Sequence, residues 1–408
     1  MKILYVSQYF PPEIGAPSAR VFELSREWVR RGHSVTVLTA FAHHPTGIKA
    51  ERDRGVLTRR ERVEGIEVVR TYVYAAPNRG TVRRMTSYAS FMASAVLIGG
   101  CRIRRPDVVI GTSPQLLCAV AARTIAAAYG SPFVFEVRDL WPESILAVEA
   151  MRQNLIVRAL KGVARGLYGR ADRIVTVGEG YRRRIHDLYG IPLDRMDVVP
   201  NGVDFGLFRP GPRDNDIRRE LGWEGRFVVL YLGTHGMAHA LDKVLEAARL
   251  LRAEARILFA FVGDGAEKES LRRRAAELGL PNVRFIEAQP KSRVPPFYAA
   301  CDLGLVTLRR AELFQDVLPS KIFEYLAMER PIVLSVGGEA RALVEEAGAG
   351  EYVPPENPEA LADAVRRLAA DRDRLERMGR RGRDYVLARF DRARLAERYL
   401  QILEALTA

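Results

Sequence analysis

Short apolar runs of strand length alternate with stretches of helical periodicity along nearly the whole 408-residue chain. In the first such unit, an apolar run over residues 2–7 precedes a predicted helix from about Ser18 to Arg31, and a second apolar run covers residues 35–39. Ser18 is the expected N-cap of this helix, and Gly32 is its expected end. Because strands that are joined through helices pair in parallel, the pattern predicts an α/β protein with parallel sheets.

The alternation forms two series of apolar runs, separated by a stretch rich in turn formers. The first series continues near residues 66–70, 107–111, 132–137, 173–177 and 196–199, and the second covers residues 226–232, 257–262, 283–286, 302–307, 331–334 and 350–353. The intervening residues 198–212 hold three prolines and three glycines, which predicts a domain boundary near residue 200. Open parallel sheets bind ligands at the carboxyl ends of their strands, so we expect the active site in the cleft between two domains.

The positive charge is concentrated in the first half of the chain. Residues 1–200 carry 30 Lys and Arg against 18 Asp and Glu, whereas residues 201–408 carry 33 against 32. A basic domain favours an anionic partner, which is nucleic acid, an anionic bilayer or a phosphorylated substrate. The arginine runs at residues 83–84 and 182–184 lack interleaved aromatic residues, so nucleic acid is the least favoured of the three.

The cysteines and the N-terminus indicate the compartment. Cys101, Cys118 and Cys301 are too few and too far apart for a zinc site or a disulfide framework, and we interpret them as buried, reduced thiols. The chain enters a strand-like run at once, without the regions of a signal peptide. We therefore expect a cytosolic protein.

One segment could contact a membrane. Residues 85–101 are uncharged and are flanked by arginines on both sides, but the segment is short and holds several hydroxyl side chains, which disfavours a transmembrane helix. Two alternatives remain open: a helix packed on the sheet of the first domain, or an interfacial helix that docks on the bilayer. The apolar face at helical spacing comprises Met85, Tyr88, Met92, Ala95 and Val96.

No dinucleotide fingerprint or phosphate-binding P-loop follows the first strand. Only Gly15 stands where the fingerprint needs three glycines, which disfavours nicotinamide and ATP enzymes. Gly15 lies between a strand and a helix, so its backbone could approach a phosphate or a sugar. An ordinary turn glycine is the alternative.

The second domain opens with a candidate anion site. Gly233 and Gly236 flank His235 after the first strand, and a helix is expected to begin near His239. Free backbone amides at a helix N-terminus favour an anion.

A second glycine-rich turn follows the next strand. Gly263, Asp264 and Gly265 would allow a flat base or a ribose to lie against the backbone. A tight turn alone would explain these residues equally well.

The most informative stretch covers residues 316–327. Pro319 suits an early helix position, so that Ser320, Lys321 and Glu324 would present a hydroxyl, a cation and a carboxylate within one turn. A solvated salt bridge between Lys321 and Glu324 is the alternative interpretation.

Together these motifs resemble the retaining glycosyltransferases of family 4. The shared motifs are residues 9–12 with Gly15, residues 139–142, 200–204, 263–265 and 319–327, and Pro331. The resemblance spans essentially the whole chain and implies the GT-B fold of two Rossmann-like α/β domains. It implies an acceptor-binding domain over residues 1–200, a nucleotide-sugar-binding domain over residues 201–385, and a C-terminal helix over residues 386–408 that crosses back to the first domain. Residues 139–142 are most similar to the subgroup that adds deoxy-aminosugars or fucose-type sugars in O-antigen and capsule assembly.

The resemblance also implies roles for two carboxylates. The Glu-x7-Glu motif of the family falls on Asp316 and Glu324, with Asp in the first position. The second carboxylate of this motif typically binds the ribose hydroxyls, and a carboxylate can accept two hydrogen bonds from a diol. The first usually contacts the donor sugar, so the shorter Asp316 leaves that contact in question.

The usual phosphate-binding cations of the family are absent. Relatives commonly place an Arg and a Lys where this chain has about Thr234 and His239. Because fixed donors must stabilise the charge that builds on the leaving diphosphate, we assign this work to Lys321, the Gly236 backbone and His239. The pKa of His239 is expected to rise beside a phosphate. A plain surface histidine is the alternative.

In the first domain the resemblance singles out Asp139. Many relatives carry a His-Asp pair where this chain has Arg138 and Asp139, and Asp139 is the candidate for orienting or deprotonating the acceptor hydroxyl. The resemblance implies no metal ion and no cofactor beyond the donor itself.

The implied function is transfer of a deoxy- or N-acetylamino-sugar from a nucleotide diphosphate, expected to be UDP, to a polyprenyl-diphosphate-linked glycan. The enzyme would lie peripherally at the cytoplasmic face of the cell membrane and would contact its anionic lipids through the basic first domain. Two alternatives remain: a nucleotide-sugar epimerase of the same architecture, and a non-catalytic protein that binds nucleotide sugars.

Overall fold

The computed structural model describes residues 1–13, 15–43, 47–76, 81–147 and 154–407. The chain divides into two compact units. Unit 1 comprises Met1–Asn201 together with Arg392–Ala408, and unit 2 comprises Gly202–Asp391. Each unit contains a sheet that is parallel apart from one edge strand of unit 1, so the predicted α/β class with two Rossmann-like domains is confirmed.

Unit 1 is built on a sheet of eight strands in the order β3-β4-β2-β1-β5-β6-β7-β8. The strands β1 to β8 span Lys2–Val6, Ser34–Ala40, Thr58–Val63, Ile66–Thr71, Val108–Thr112, Phe133–Val137, Arg173–Thr176 and Met196–Val198. The edge strand β3 pairs antiparallel with β4. The central strands β1, β5 and β6 are buried along almost their whole length, as expected for a parallel sheet that is covered on both faces.

Six helices of unit 1 connect these strands. They are α1 to α6, and they span Ala16–Arg30, Thr81–Ser94, Leu116–Tyr129, Glu143–Ala147, Leu155–Arg170 and Glu179–Tyr189. The prediction that Ser18 is the N-cap of α1 is wrong, because Gly15 occupies that position and Ser18 is buried inside the helix. Pro17 explains the earlier start, since a residue with a fixed φ and no N–H suits the first helical turn.

Helix α2 lies within the segment that could contact a membrane. It continues through a π-helical turn at Ala95–Gly99. Tyr88 and Ala95 are buried, and Met85, Met92 and Val96 are half-buried, so the apolar face proposed for an interfacial helix packs against unit 1 instead. This burial favours the packed-helix alternative for Tyr88 and Ala95, while docking of the segment on a bilayer stays a prediction. No helix in the described part of the chain combines the length and the apolar character needed to cross a bilayer.

Unit 2 contains a six-stranded, fully parallel sheet in the order β11-β10-β9-β12-β13-β14. The strands β9 to β14 span Phe227–Leu232, Ile257–Val262, Val283–Ile286, Leu303–Thr307, Ile332–Ser335 and Gly350–Tyr352. The helices α7 to α14 span Asp216–Leu221, Leu241–Leu250, Lys268–Glu277, Val294–Ala300, Lys321–Ala327, Gly338–Ala347, Pro358–Ala370 and Arg372–Arg389. The strand order reverses beside β9, where parallel sheets most often bind ligands.

The last helix, α15, spans Arg392–Thr407 and belongs to the core of unit 1. The indole Nε1 of Trp28 donates to the carbonyl of Ala396 at 2.9 Å, and the Trp28 ring lies edge-on to Tyr399 at 5.4 Å. The helix was expected over residues 386–408. It begins at Arg392 because the chain is extended at Asp391, which forms a β-bridge with Val203.

The cysteines do not share one environment. Cys118 and Cys301 are buried, and burial raises the pKa of each thiol to about 12. Cys101 is exposed, so the prediction of a buried thiol is wrong at this position. Cys101 lies in the short 3-10 turn that follows α2 at the surface of unit 1.

Candidate active site

Two loops at the carboxyl edge of the unit 2 sheet lie backbone against backbone. The loop after β9 contains Gly233 (φ +145°), and the loop after β10 contains Gly263 (φ +145°) and Gly265 (φ +159°). A Cβ on Gly263 would overlap the carbonyl of Gly233, and a Cβ on Gly265 would overlap the backbone of His235. Glycine is therefore required at these positions by both conformation and space.

Lys321 extends from the first turn of α11 into the same region. Its Nζ lies 3.8 Å from the centre of the Tyr231 ring, and a Cβ on Gly233 would lie 3.1 Å from it. The Nζ atom is buried and has no hydrogen-bond partner among the described residues. Burial lowers the pKa of Lys321 to about 7, and the charge of Glu324 opposes this shift only in part. The predicted alternative of a solvated Lys321–Glu324 salt bridge is wrong, since the buried Nζ makes no hydrogen bond to Glu324.

Two histidines surround the same tyrosine. The rings of His235 and His239 each lie 5.9 Å from the Tyr231 ring. Both ring nitrogens of His235 and the Nδ1 of His239 are buried, and none of them has a hydrogen-bond partner in the described ranges of the chain. Burial and nearby lysine charges, chiefly Lys321 for His239, lower the pKa of His235 to about 4 and that of His239 to about 3. These are values without ligand, so the expected rise in the pKa of His239 beside a phosphate remains a prediction.

Glu324 lies one turn along α11 from Lys321 and has a partner that the sequence did not reveal. The hydroxyl of Tyr298 in α10 donates to Glu324 Oε2 at 2.6 Å. Burial raises the pKa of Glu324, while the Tyr298 hydrogen bond and the Lys321 charge oppose the shift. One oxygen of this carboxylate is thus held in place by a buried tyrosine.

The remaining predicted residues of unit 2 lie in the connecting loops. Asp316 ends the 3-10 turn Glu312–Asp316 and is half-buried. Gly338 (φ +60°) fixes this turn, because a Cβ there would overlap the carbonyl of Gln315. Ser320 is the N-cap of α11, and its side chain makes no capping hydrogen bond.

Two further backbone positions complete the loops after β9 and β10. Gly236 precedes the 3-10 turn Met237–His239, and its carbonyl accepts a hydrogen bond from the His239 amide at 3.0 Å. The carboxylate of Asp264 accepts from the amide of Gly265 at 2.7 Å. Both hydrogen bonds lie within the loops themselves and do not involve the side chain of Lys321, which faces Tyr231.

Unit 1 has a buried charged network at the corresponding edge of its sheet. Glu136 at the end of β6 is fully buried. Its Oε1 accepts from Arg20 Nε at 2.8 Å, and its Oε2 accepts from the Tyr5 hydroxyl and from Thr112 Oγ1 at 3.0 Å. Burial would raise the pKa of Glu136, but the nearby arginines and these hydrogen bonds lower it overall. Both carboxylate oxygens of Glu136 therefore have hydrogen-bond partners within unit 1.

Asp139 lies just beyond the same strand. The hydroxyl of Ser144 donates to Asp139 Oδ2 at 3.2 Å, and the backbone of residues 138–139 is fixed by Ser113, whose Oγ accepts from both amides at 2.8 and 3.1 Å. Burial raises the pKa of Asp139 to about 6, against the Ser144 hydrogen bond and the charge of Arg138. Asp139 therefore titrates close to neutral pH, as a group that handles a proton should.

Gly15 lies apart from this network, in the loop after β1. It is the N-cap of α1 and has φ +143°. Among the described residues, a Cβ at this position would meet only the Pro17 ring, at 3.6 Å, so no contact within the protein requires a glycine here, and its approach to a phosphate or a sugar stays a prediction.

The structure thus brings Gly233, His235, Gly236, His239, Gly263, Lys321 and Glu324 to one edge of unit 2, and Asp139 to the corresponding edge of unit 1. Sequence reasoning missed Tyr231, Tyr298 and Glu136. Their only sequence signal is a polar group within or beside a predicted buried strand or helix, which the pattern alone cannot assign to a partner. Among the described residues, no three His, Cys, Asp or Glu side chains cluster as metal ligands would.

Family models match both units. The model for glycosyl transferases group 1 matches residues 213–385, and the model for Glycosyltransferase Family 4 matches residues 18–206. WbjE of Pseudomonas aeruginosa, named as a glycosyltransferase, is 30% identical over 283 residues, which cover 68% of this chain and 69% of WbjE. WcaI of Escherichia coli K12, named as a colanic acid biosynthesis glycosyl transferase, is 27% identical over 90% of this chain and 91% of its own length.

Solved structures agree on the fold. Sucrose-phosphate synthase from Thermosynechococcus elongatus matches with a TM-score of 0.78 at 17% identity, over 99% of this chain and 98% of that protein. HepE from Anabaena, solved in complex with UDP-glucose, matches with a TM-score of 0.74 at 18% identity, over 99% and 100% of the two chains. The fold is therefore GT-B, the two-domain glycosyltransferase architecture. The chain belongs to glycosyltransferase family 4.

Proposed function

We propose that this glycosyltransferase moves a sugar from a UDP-sugar, with retention of configuration and without a metal ion, to a polyprenyl-diphosphate-linked glycan in cell-surface polysaccharide assembly. The observation that carries the proposal is the group of nitrogens around Tyr231. Lys321, His235 and His239 converge there, and the buried nitrogens Lys321 Nζ, His235 Nδ1 and Nε2, and His239 Nδ1 have no hydrogen-bond partner within the described residues. Buried polar groups are normally paired, so an unpaired group of this kind favours an anionic ligand.

A diphosphate supplies the missing acceptors. Its negative charge would favour the protonated form of Lys321, whose pKa without ligand is about 7. Charge on the diphosphate increases as the glycosidic bond breaks, so a donor that is already oriented stabilises the transition state more than the bound substrate. Lys321 and the Gly236 backbone are the residues to which we assign this role, with His239 beside them.

Glu324 would hold the ribose. Tyr298 occupies Oε2, which leaves Oε1 to accept from the hydroxyls of the nucleoside. The UDP and UDP-glucose complexes solved for HepE support uridine as the nucleoside. Asp316 would contact the donor sugar.

Asp139 would orient the acceptor hydroxyl. In a retaining reaction on one face of the sugar, a phosphate oxygen of the leaving group can accept the proton, so Asp139 need act only as a hydrogen-bond acceptor in its ionised form. With a pKa of about 6, it is largely ionised at neutral pH.

The polysaccharide context is supported by WcaI and its named role in colanic acid biosynthesis.

Contact with anionic lipids is supported by two exposed apolar side chains, Val82 (79% exposed) and Leu97 (73% exposed). Exposed arginines lie near them in the sequence, namely Arg83, Arg84 and Arg102. Cosedimentation with phosphatidylglycerol and phosphatidylcholine vesicles measures this contact, and equal binding to both would contradict it.

The test of the donor site is calorimetric titration with UDP, GDP and ADP, with and without EDTA. We expect UDP to bind with micromolar affinity in either condition. Glu324→Ala should weaken UDP binding, whereas Asp139→Ala should lower turnover with UDP binding nearly unchanged, and the exposed Glu376→Ala is the matched control. Absence of binding to any of the three nucleotides would instead favour a non-catalytic protein with another ligand. Equal loss of UDP affinity in both site variants would contradict the assigned roles.

A further inference from the structure

Unit 1 contains a second cation with buried donor atoms, Arg138, whose side chain is half-buried. Its Nε and Nη1 atoms are buried and have no hydrogen-bond acceptor among the described residues. Unlike Lys321, this arginine has no role in the donor site proposed above. An arginine is always charged and carries five donors in a fixed fork, so leaving two of its nitrogens buried without an acceptor is costly.

The carboxylate whose charge acts most strongly on Arg138, that of Glu136, already has hydrogen-bond partners. Both oxygens of Glu136 are hydrogen-bonded, to Arg20 on one side and to Tyr5 and Thr112 on the other. Arg20 also donates to the carbonyls of Val199 and Pro200 at 3.0 and 2.9 Å. The charge of Glu136 is therefore balanced by Arg20, and Arg138 is in excess.

The charge of Asp139 favours the protonated form of Arg138, but the buried Nε and Nη1 atoms of Arg138 do not donate to the carboxylate of Asp139. Its carboxylate accepts from Ser144, and the structure shows no ion pair between the two neighbouring side chains. The hydroxyl of Ser113 accepts from both backbone amides, so the backbone that carries Arg138 is fixed. Burial lowers the pKa of the Arg138 guanidinium, while the charge of Glu136 opposes the shift.

We propose that Arg138 is the binding site for an oxyanion of the acceptor, next to the hydroxyl that Asp139 orients. A phosphate or a carboxylate satisfies the guanidinium fork with two parallel hydrogen bonds. The inference rests on the proposed function only because it names the acceptor as the molecule that carries the oxyanion. The acceptor diphosphate or a carboxylate on its sugar would provide the same chemistry.

Inorganic pyrophosphate is the first probe, because it separates this site from the donor site. We expect two pyrophosphates per wild-type chain in calorimetric titrations, one after Arg138→Met, one after Lys321→Met, and none after both substitutions. A single pyrophosphate on the wild-type chain that is lost in Arg138→Met and kept in Lys321→Met would contradict the proposed donor site and leave Arg138 supported. A single pyrophosphate that Arg138→Met leaves unaffected, or that is lost in both single variants, would overturn the separate Arg138 site.

Farnesyl diphosphate and methyl glucuronide then distinguish the two sources. Arg138→Met should weaken the binding of one of these two anions by about tenfold or more, as expected for a charged hydrogen-bonded pair. The binding of farnesol should remain unchanged. Arg183→Met removes an exposed arginine and is the matched control for net charge. If neither anion loses affinity in Arg138→Met, the proposal is wrong.

Thermal unfolding without ligand separates a binding role from a structural one. Methionine keeps much of the aliphatic packing of arginine and removes a buried, unpaired charge. Arg138→Met should therefore raise the unfolding temperature, while Arg183→Met leaves it unchanged. A lower unfolding temperature in Arg138→Met would indicate a structural role and contradict the proposal.

Discussion

The charged atoms of Glu136 in unit 1 and of Lys321 in unit 2 are buried at the same edge of similar sheets, but their hydrogen bonding differs. Glu136 receives three hydrogen bonds from Arg20, Tyr5 and Thr112. Lys321 instead faces the ring of Tyr231, and its Nζ has no acceptor in the part of the chain that the structure describes. A complete network stabilises the fold, whereas an unpaired cation costs stability and keeps its binding capacity for a ligand.

The contrast extends to how each site is built. Unit 1 holds its network through side chains from β1, β5, β6 and α1. Unit 2 instead relies on two glycine loops whose backbones touch, with φ +145° at both Gly233 and Gly263. Changes to the backbone should therefore damage unit 2 most, and changes to a carboxylate should damage unit 1 most.

The largest expected effect is that of Gly263→Ala. The added Cβ would overlap the Gly233 carbonyl at a positive φ, so unit 2 should lose about 4 kcal/mol of stability from overlap and strain together. Hydrogen exchange should show lost protection in β9 and β10 and unchanged protection in β1 and β2. Gly225→Ala is the control, because Gly225 also has positive φ (+68°) but open space around it. Equal damage in both variants would show that the conformation of the glycine alone matters, and not the loop contact.

Glu136→Gln tests the completeness of the unit 1 network. Arg20, which is only 4% exposed, would lose its counter-charge, and unit 1 should lose about 3 kcal/mol. Denaturant unfolding followed by hydrogen exchange in β1 and β5 measures this loss. Glu397→Gln is the matched control in the same unit, since the Arg31–Glu397 pair is exposed and should matter little. Similar losses in both variants would remove the distinction between a closed network and a surface pair.

The sequence predicted the strands of both sheets but not which side chains become hydrogen-bond partners in the folded chain. The alternation of apolar runs located the strands of both sheets, because the period of a pattern is a local property. Tyr298 and Glu324 are 26 residues apart, and Tyr5 and Glu136 are 131 residues apart. Such partners depend on which strands become neighbours, and a local pattern does not contain that information.

Helix α2 illustrates the same limit. Its spacing predicted an apolar face but did not distinguish packing on a sheet from docking on a lipid surface. Tertiary contacts decide the question, since Ser94 donates to Thr71 Oγ1 at 3.2 Å and Gly99 lies against Leu38. Likewise, residues 320–324 predicted the neighbourhood of Lys321 and Glu324, yet the unpaired state of Lys321 follows from burial by residues distant in the sequence.

Lys321→Met gives a smaller effect and the sharpest test of the open site. UDP-glucose is a suitable probe, because its diphosphate has no group that titrates near neutral pH. With a Lys321 pKa of about 7, the affinity of the wild-type chain should fall as the pH rises from about 6 to about 8, since the deprotonated amine no longer pairs with the diphosphate. In the chain without ligand, His235 and His239, with pKa values of about 4 and 3, are neutral over this range.

The variant should bind about tenfold more weakly at the lower pH, as for one charged hydrogen bond, and its affinity should not depend on pH.

The stability of the chain without ligand should depend on pH in the opposite direction. The folded-state pKa of Lys321 lies below the ordinary value of 10.5, so the unfolded chain binds more protons between these values, and the stability of the wild-type chain should rise with pH there. Arg252→Met removes an exposed cation from the same unit and should retain both pH dependences. If Lys321→Met kept the pH dependence of binding, another group would hold the diphosphate, and the contrast between a closed and an open site would have to be drawn without Lys321.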